Sequence, residues 1–292
     1  MVIFFIERIK IMRLNNGTIE IEIDKHGAEL KSAVKNGREY MWYADPEFWG
    51  RTSPVLFPFV GSLLNKTYRL NGKEYTMQQH GFARNKDFEL LESTENSVTY
   101  ILKSDSETLK NYPFEFTLII KYTVEGSAVK VEWTVKNEND SVMSFSIGGH
   151  PAFNLTEGQN YFKFDTDKDL DYYLIDKNGF FDKNNKYILK NGGIVPVTEG
   201  MFDNDALIIE DHQTHEVSLC DSEKKPYVTV KFNAPLFGLW APAKKGCPFI
   251  CIEPWYGRCD RNDFDGDVSE RDHIINLEAN GTFKAEYEIE FI

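Results

Sequence analysis

Hydrophobic and polar residues alternate through most of this chain. The segment Thr18–Ile23 places three isoleucines on one face and polar residues on the other, as a half-buried strand does. Two longer alternating segments, Phe116–Val124 and Ala128–Val135, flank Glu125-Gly126-Ser127 and predict a hairpin. Further segments with this pattern predict strands at Ser97–Leu102, Glu216–Cys220, Tyr227–Phe232 and Phe283–Phe291.

Turn-forming residues separate these predicted strands, at Asn15-Asn16-Gly17, Asn36-Gly37, Asn71-Gly72-Lys73, Lys177-Asn178-Gly179 and Asn191-Gly192-Gly193. Helical periodicity is scarce, and Ser106–Asn111 and Glu199–Asn204 each predict no more than a turn or two of helix. Strands at short intervals with few short helices predict an all-β fold, either a large antiparallel β-sandwich or a barrel.

The chain shows no sign of division into domains. It contains no linker, no low-complexity tract and no clear internal repeat. We therefore expect a single β-sandwich domain over residues 12–292, preceded by a loose extension of residues 1–11. That extension is apolar but lacks a basic start and a small-residue cleavage site, so it is a poor signal peptide.

Composition narrows the class of partner. With 41% hydrophobic residues and a net charge of -13, the chain can bury a large core and is a poor match for nucleic acid or an anionic membrane. No apolar run approaches the roughly 20 residues of a membrane-spanning helix. The cysteines match no common zinc spacing, so we expect a reduced cytoplasmic protein, monomer or homodimer, that acts on a small molecule; they are Cys220, Cys247, Cys251 and Cys259.

The segment from Cys251 to Arg258 is the first candidate for chemistry. A strand-forming run ends in Glu253, and the following proline removes a backbone donor and stops the strand there. Trp255 and Tyr256 come next, so a carboxylate that can take a proton stands beside rings that can stack on a sugar. The alternative is a carboxylate at the rim of the fold, paired with Arg258, and this segment alone leaves both open.

Two histidines, His80 and His150, lie next to glycines and apolar stretches. Imidazole can donate or accept a proton near neutral pH, so each is a candidate acid or base. A core histidine bonded to a backbone carbonyl is the alternative for either one alone. Together with Glu253, however, they form a coherent set of acid, base and positioning group.

Arg51 and Arg84 are candidate ligand-binding cations. Arg51 precedes an apolar segment bracketed by two prolines, and its guanidinium offers a fixed fork of donors for hydroxyl or phosphate oxygens. The alternative is a surface ion pair with Asp45 or Glu47. Glycoside hydrolysis would need a second carboxylate near Glu253, and the nearest candidates in sequence are Asp205, Asp260 and Asp263.

Four motifs, taken in order, resemble the aldose 1-epimerase (galactose mutarotase) family over nearly the whole chain: Arg51–Gly61, His80–Arg84, Gly148–Phe153 and Cys251–Arg258. The resemblance implies a galactose mutarotase-like β-sandwich with its site in an open cleft. It also implies interconversion of the α and β anomers of a free aldohexose such as galactose or glucose, without cofactor or metal.

The resemblance assigns roles to individual residues. Glu253 corresponds to the base that takes the proton of the C1 hydroxyl, and His150 to the acid that protonates the ring oxygen. His80 and Arg51 correspond to groups that hold the ring oxygen and neighbouring hydroxyls. An aspartate that grips sugar hydroxyls is assigned to Asp205, with Asp203 as the alternative. The aromatic residues expected to line the sugar cleft are Trp255, Tyr256, Trp240 and Phe153.

Other functions stay open on the sequence. The string from His80 to Arg84 also resembles the hexose-6-phosphate 1-epimerase branch, in which arginines at positions like Arg51 and Arg84 grip a phosphate. A non-catalytic carbohydrate-binding sandwich is a further alternative, and a glycoside hydrolase or lyase is another.

Overall fold

The structure is a computed structural model that describes residues 11–243 and 246–292. Over these residues the chain forms one α-helix, α1 (Thr108–Asn111), and the following strands: β1 (Ile11–Asn15), β2 (Glu20–Asp24), β3 (Glu29–Lys35), β4 (Arg38–Glu39), β5 (Val55–Leu56), β6 (Thr67–Leu70), β7 (Lys73–Thr76), β8 (Glu89–Ser93), β9 (Ser97–Lys103), β10 (Phe116–Glu125), β11 (Ala128–Asn137), β12 (Met143–Phe145), β13 (Ile147–Gly149), β14 (Ala152–Asn154), β15 (Tyr161–Phe164), β16 (Leu170–Ile175), β17 (Phe181–Leu189), β18 (Val195–Pro196), β19 (Leu207–Ile209), β20 (Glu216–Cys220), β21 (Pro226–Phe232), β22 (Leu236–Trp240), β23 (Phe249–Tyr256), β24 (Ile275–Leu277) and β25 (Thr282–Phe291).

Two large antiparallel sheets dominate the architecture. The nine-stranded sheet has the order β18-β15-β20-β21-β25-β11-β10-β9-β8. The second runs β17-β16-β19-β22-β23-β13-β5, and β14 also pairs with β23. A four-stranded sheet, β1-β2-β3-β4, and two strand pairs complete the fold. The predicted all-β class, a large antiparallel β-sandwich with few short helices, is confirmed.

The main core collects the apolar faces of both large sheets. Leu118 and Ile120 of β10 and Val131 of β11 pack in the same buried cluster as Ile250 and Ile252 of β23. Each is 1% exposed or less, so the alternation read from the sequence buries one side chain in two against the opposite sheet.

The other face of β23 does not enter that core. Cys251 belongs to a small buried cluster with Trp42, Ala152 and Phe249, here called the Trp42 cluster. Trp255 belongs to another, the Phe181 cluster, with Leu56, Val60, Phe181, Ala206, Ile208, Leu236 and Cys259. Glu253 lies between Cys251 and Trp255 on the strand, so it emerges on this outer face between two apolar clusters.

Most local predictions are confirmed. The predicted hairpin closes with Glu125 opposite Ala128, so Gly126 and Ser127 form its turn. The helical turn predicted within Ser106–Asn111 is α1, whereas Glu199–Asn204 forms turns without a helix. The predicted loose extension lies outside the described residues up to residue 10, and residue 11 already belongs to β1. In the described part of the chain, no helix is both long and apolar enough to cross a membrane.

Candidate active site

A cavity of about 510 Å³, here called the cleft, opens on the outer face of the eight-stranded sheet. Its floor and walls carry charged, polar and aromatic side chains, an arrangement typical of a small-molecule site. The residues that line it are Trp49, Arg51, Val60, Gly61, Ser62, Gln79, His80, Arg84, His150, Ile175, Gly179, Asp205, Ala206, Ile208, Trp240, Glu253, Trp255, Arg258 and Cys259.

Glu253 projects into this cleft from β23, and a glycine on the neighbouring strand β22 leaves space for the indole of Trp255. Gly238 pairs with Glu253 across the two strands. A Cβ on Gly238 would collide with the six-membered ring of Trp255, so a glycine there lets that indole lie flat against the sheet. Trp255 is therefore 6% exposed and shows the cleft only part of its ring.

Glu253 and His150 form a close pair on the cleft surface. His150 Nε2 lies 3.2 Å from Glu253 Oε2, and their side chains are 7% and 1% exposed. The imidazole stacks on Trp49 with ring centroids 4.6 Å apart, and it meets Trp240 edge-on at 5.2 Å. These aromatic walls fix the orientation of the imidazole beside the carboxyl group.

Burial favours the uncharged form of both members of this pair. Desolvation raises the pKa of Glu253 well above its usual range, and the carboxyl group of Asp205 adds to the effect. Desolvation lowers the pKa of His150 to about 3, with Arg84 and Arg51 adding to the shift. Glu253 Oε2 and His150 Nδ1 are buried and have no hydrogen bond of normal geometry within the described residues, so the hydrogen-bonding capacity of both atoms is unused there.

His80 reaches the cleft through a tight loop. Its φ is +64°, its N–H donates to Gly61 O at 2.9 Å, and its Nδ1 accepts from Gly61 N–H at 3.1 Å. The next residue, Gly81, packs so closely on the Phe57 carbonyl group that a Cβ would collide with it. Because Nδ1 is an acceptor and burial lowers the pKa of His80 well below its usual value, this neutral ring presents an Nε2–H donor.

Arg51 and Arg84 stand side by side at one end of the cleft. Arg51 donates to Arg84 O at 3.4 Å and to Asn85 Oδ1 at 2.7 Å, while Arg84 Nη2 donates to Gln79 O at 2.8 Å. Among the described residues no carboxylate pairs with either guanidinium, and the buried Arg84 Nε has no hydrogen bond. Desolvation, followed by the charge of Arg51, lowers the pKa of Arg84 to about 10. This end of the cleft therefore carries two guanidinium groups without a direct ion pair in the described range, and the carboxyl group that acts on Arg84 is that of the buried Glu29, which raises its pKa in part.

Asp205 lines the cleft and Asp203 does not. Asp203 lies along two other cavities instead. Asp205 has a φ of +74°, and its Oδ1 accepts from Ala206 N–H at 2.7 Å. Desolvation raises the pKa of Asp205, so a hydrogen-bonding ligand that replaces water would stabilise its carboxylate form.

Comparisons with known proteins agree with this geometry. The family profile described as aldose 1-epimerase matches residues 10–267. This chain belongs to the aldose 1-epimerase family. The chromosomal protein LacX of Lactococcus lactis subsp. lactis is 31% identical over 95% of this chain and 98% of its own.

Solved structures show the same fold in other members and relatives of this family. The galactose mutarotase related enzyme from Lactobacillus acidophilus is 35% identical, with a TM-score of 0.92 and coverage of 97% of both chains. A galactose mutarotase-like protein from Lactobacillus casei ATCC 334 is 29% identical, with a TM-score of 0.90, over 97% of this chain and 100% of its own. The predicted family and its galactose mutarotase-like sandwich are thus confirmed.

The structure of this family member brings the predicted site residues together. The seven residues preferred for catalysis or substrate binding all line this cleft: Arg51, His80, Arg84, His150, Asp205, Glu253 and Trp255. Of the other carboxylates considered, Asp260 pairs with Arg271 at 2.5 Å and Asp263 with Arg261 at 2.9 Å. Neither Asp260 nor Asp263 lines the cleft.

Two aromatic assignments from the sequence are wrong, and the alternative ion pair of Glu253 does not form. Phe153 is fully buried in the main core, and Tyr256 packs against that core and against Phe283, so neither lines the cleft. Arg258 does not pair with Glu253. Its guanidinium binds Glu210 Oε1 at 2.5 Å and Asp272 Oδ2 at 2.7 Å.

Sequence reasoning missed Trp49 and Gln79, which line the cleft. Trp49 supplies the ring on which His150 stacks, and Gln79 O accepts a hydrogen bond from Arg84. A signal was available for both, since Trp49 lies two residues before Arg51 and Gln79 directly precedes His80.

Proposed function

We propose that this protein is an aldohexose 1-epimerase that interconverts α and β anomers at the Glu253–His150 pair. The observation that carries the proposal is the 3.2 Å approach of His150 Nε2 to Glu253 Oε2 at a cleft that also presents an imidazole and two guanidinium groups. Two proton-transfer groups side by side match a reaction that moves protons at two oxygens of one hemiacetal carbon.

The proposed reaction conserves all protons. A proton moves from the buried Glu253 carboxyl group to His150, which gives the carboxylate and imidazolium forms. Glu253 then takes the proton of the C1 hydroxyl while His150 gives its proton to the ring oxygen, and the C1–ring-oxygen bond breaks. Rotation about C1–C2 and the reverse transfers close the ring with the opposite configuration. Each transfer group contributes typically about 10²–10⁴-fold.

The remaining cleft residues hold the sugar in this scheme. His80 donates from Nε2–H to the ring oxygen region, and Asp205 accepts from sugar hydroxyls. Trp49 and Trp240 keep the His150 ring in place and exclude water from its face.

The test is anomer exchange measured by NMR with glucose, galactose and glucose 6-phosphate in parallel. We expect line broadening or saturation transfer between α and β resonances for at least one of them, in proportion to enzyme concentration. Exchange at the buffer rate for all three would overturn the proposal and would favour a non-catalytic carbohydrate-binding sandwich. Cleavage of a glycoside would instead indicate a hydrolase.

A second candidate, a hexose-6-phosphate 1-epimerase, is favoured by one observation. Arg51 and Arg84 lie together in the cleft without a carboxylate partner among the described residues, and a phosphate would bring them a counterion. A charged hydrogen bond contributes about 1.5–3 kcal/mol, so Arg84→Gln should lower kcat/KM for glucose 6-phosphate about 10–100-fold and leave that for glucose nearly unchanged.

The matched control is Arg69→Gln, because Arg69 is an exposed arginine that pairs with Asp265 and does not line the cleft, so its substitution should affect neither sugar. Equal losses for phosphorylated and free sugar in Arg84→Gln would contradict phosphate binding by this residue. A wild-type preference for the free sugar would make the free aldohexose the substrate.

A further inference from the structure

Beside the Glu253–His150 pair lies a third, buried group that the proposed reaction does not use, the thiol of Cys251. Cys251 and Glu253 are two residues apart on β23, so their side chains point to the same face of the sheet. Potential ligand atoms of Cys251, Glu253 and His150 all lie within 4.8 Å of one another, and all three residues are buried.

These distances approach those of a transition-metal site. Zinc binds sulfur at about 2.3 Å and imidazole nitrogen or carboxylate oxygen at about 2.0–2.2 Å, so tetrahedral ligand atoms stand about 3.3–3.7 Å apart. His150 Nε2 and Glu253 Oε2 are already 3.2 Å apart. A shift of about 1 Å in the Cys251 side chain would bring its sulfur to the distance that a tetrahedral metal site requires.

The protonation chemistry of the three groups also fits a divalent cation. A thiolate, a carboxylate and a neutral imidazole carry two negative charges, which a Zn²⁺ ion neutralises within a buried site. Without metal the thiol and carboxyl group keep their protons, because burial raises the pKa of both Cys251 and Glu253 well above their usual values. Within the described residues Glu253 Oε2 has no hydrogen bond of normal geometry, and its close neighbour His150 Nε2 is itself one of the three candidate ligands.

We propose that His150, Cys251 and Glu253 form a site for Zn²⁺ and similar thiophilic divalent cations, and that the bound cation reversibly blocks anomer interconversion. Three protein ligands leave the fourth position open toward the cleft, for water or a sugar hydroxyl. The binding site stands on the geometry alone, whereas the inhibition rests on the proposed function. Mg²⁺ and Ca²⁺ prefer six or more oxygen ligands and do not compete.

The first predicted consequences concern activity. Zn²⁺ inhibits wild type, a chelator restores the rate, and inhibition strengthens as pH rises because binding releases protons. Cys251→Ala keeps the uninhibited exchange rate, since the thiol has no role in the reaction, but weakens Zn²⁺ inhibition by about 100-fold or more, as loss of a ligand exceeds the 10–100-fold cost of losing an outer partner.

The matched control is Cys247→Ser. This thiol packs against the same Trp42 cluster but is half-buried, and its Sγ lies 3.5 Å from Pro242 O. Its substitution should leave Zn²⁺ inhibition unchanged. Inhibition of equal strength in Cys251→Ala and wild type would overturn the inference.

Binding is tested independently of activity with Co²⁺ as a spectroscopic probe. Wild type should show thiolate-to-Co²⁺ charge-transfer absorption with one equivalent bound, and Zn²⁺ should displace it. The band should vanish in Cys251→Ala and weaken in Glu253→Gln, whose folded state is checked by circular dichroism. Absence of the thiolate band in wild type would overturn the metal site. If the band appears while anomer exchange does not, the metal site stands and the proposed function fails.

Discussion

The two faces of strand β23 differ in what their side chains do. Ile250 and Ile252 face the main core and are at most 1% exposed. Cys251, Glu253 and Trp255 alternate with them and face the cleft or its flanking clusters, and Glu253 Oε2 lacks a hydrogen bond of normal geometry there. The core face stabilises the fold. The cleft face instead retains a buried carboxyl group that destabilises it, and such a group is expected where it serves a function.

The largest effect should come from the cleft face. His150→Asn removes the proposed acid while keeping a polar side chain of similar shape, so kcat for anomer exchange should fall about 10²–10⁴-fold. Thermal unfolding should stay close to wild type, because within the described part of the chain the ring makes no hydrogen bond of normal geometry through Nδ1. A variant with near wild-type turnover would remove His150 from the reaction.

The core face should show the reverse. Ile252→Ala leaves a cavity beneath the same strand and should lower the free energy of unfolding by about 2–5 kcal/mol. Turnover per folded molecule should stay close to wild type at temperatures where the variant is folded. Urea denaturation measures the stability and NMR exchange measures the turnover of the same samples. A large loss of kcat without destabilisation would contradict the assignment of Ile252 to the stabilising face.

The stability of the protein should depend on pH through the two buried titratable groups of the cleft, His150 and Glu253. His150 has a folded pKa of about 3 and an unfolded pKa near 6.5, so its contribution to stability is complete above about pH 6.5 and is lost as pH falls toward 3. Glu253, with its raised pKa, contributes in the opposite sense: its stabilisation is present at low pH and is lost as pH rises through its folded pKa.

The difference in unfolding free energy between wild type and His150→Asn isolates the contribution of the histidine. Between pH 7 and pH 4 the difference in unfolding free energy should move by about 3 kcal/mol against wild type. Denaturant titrations at the two pH values provide the measurement. A pH-independent difference would show that His150 titrates alike in the folded and unfolded chain.

The smallest effect should come from the backbone beneath the cleft. In Gly238→Ala the new Cβ meets the Trp255 ring, which must shift at a cost of about 1–3 kcal/mol. We expect a raised KM with a smaller change in kcat, measured by NMR exchange. Gly192→Ala is the matched control, because a Cβ there meets nothing within 4 Å. Equal KM values in the two variants would show that Trp255 does not contact the sugar.

The fold could be predicted from the sequence where hydrophobic and polar residues alternate over a long segment. The hairpin of β10 and β11 was predicted because period-two patterning and a Gly-Ser turn agree. The turn over Glu199–Asn204 was predicted as helix because a short polar segment carries no periodicity that distinguishes helix from turn.

The candidate site followed where chemistry-bearing residues flank glycine, as His80 and His150 do. The predicted strand end at Glu253 is wrong, because β23 continues through Pro254 to Tyr256 and Glu253 lies within the strand. Aromatic assignment failed for Tyr256 because strand parity places it with Ile252 on the core face, opposite Glu253. The stacking of Trp49 on His150 joins residues about a hundred positions apart, and such a contact depends on the tertiary fold.

The central claim is that Glu253 takes the proton of the C1 hydroxyl as the sugar ring opens. Saturation-transfer NMR between the α and β resonances tests it most directly, with wild type, Glu253→Gln and the exposed control Glu92→Gln at equal concentration on whichever sugar wild type exchanges. The account predicts a loss of about 10²–10⁴-fold in Glu253→Gln, toward the buffer rate, with folding intact and the control unaffected. Exchange near the wild-type rate in folded Glu253→Gln would contradict it.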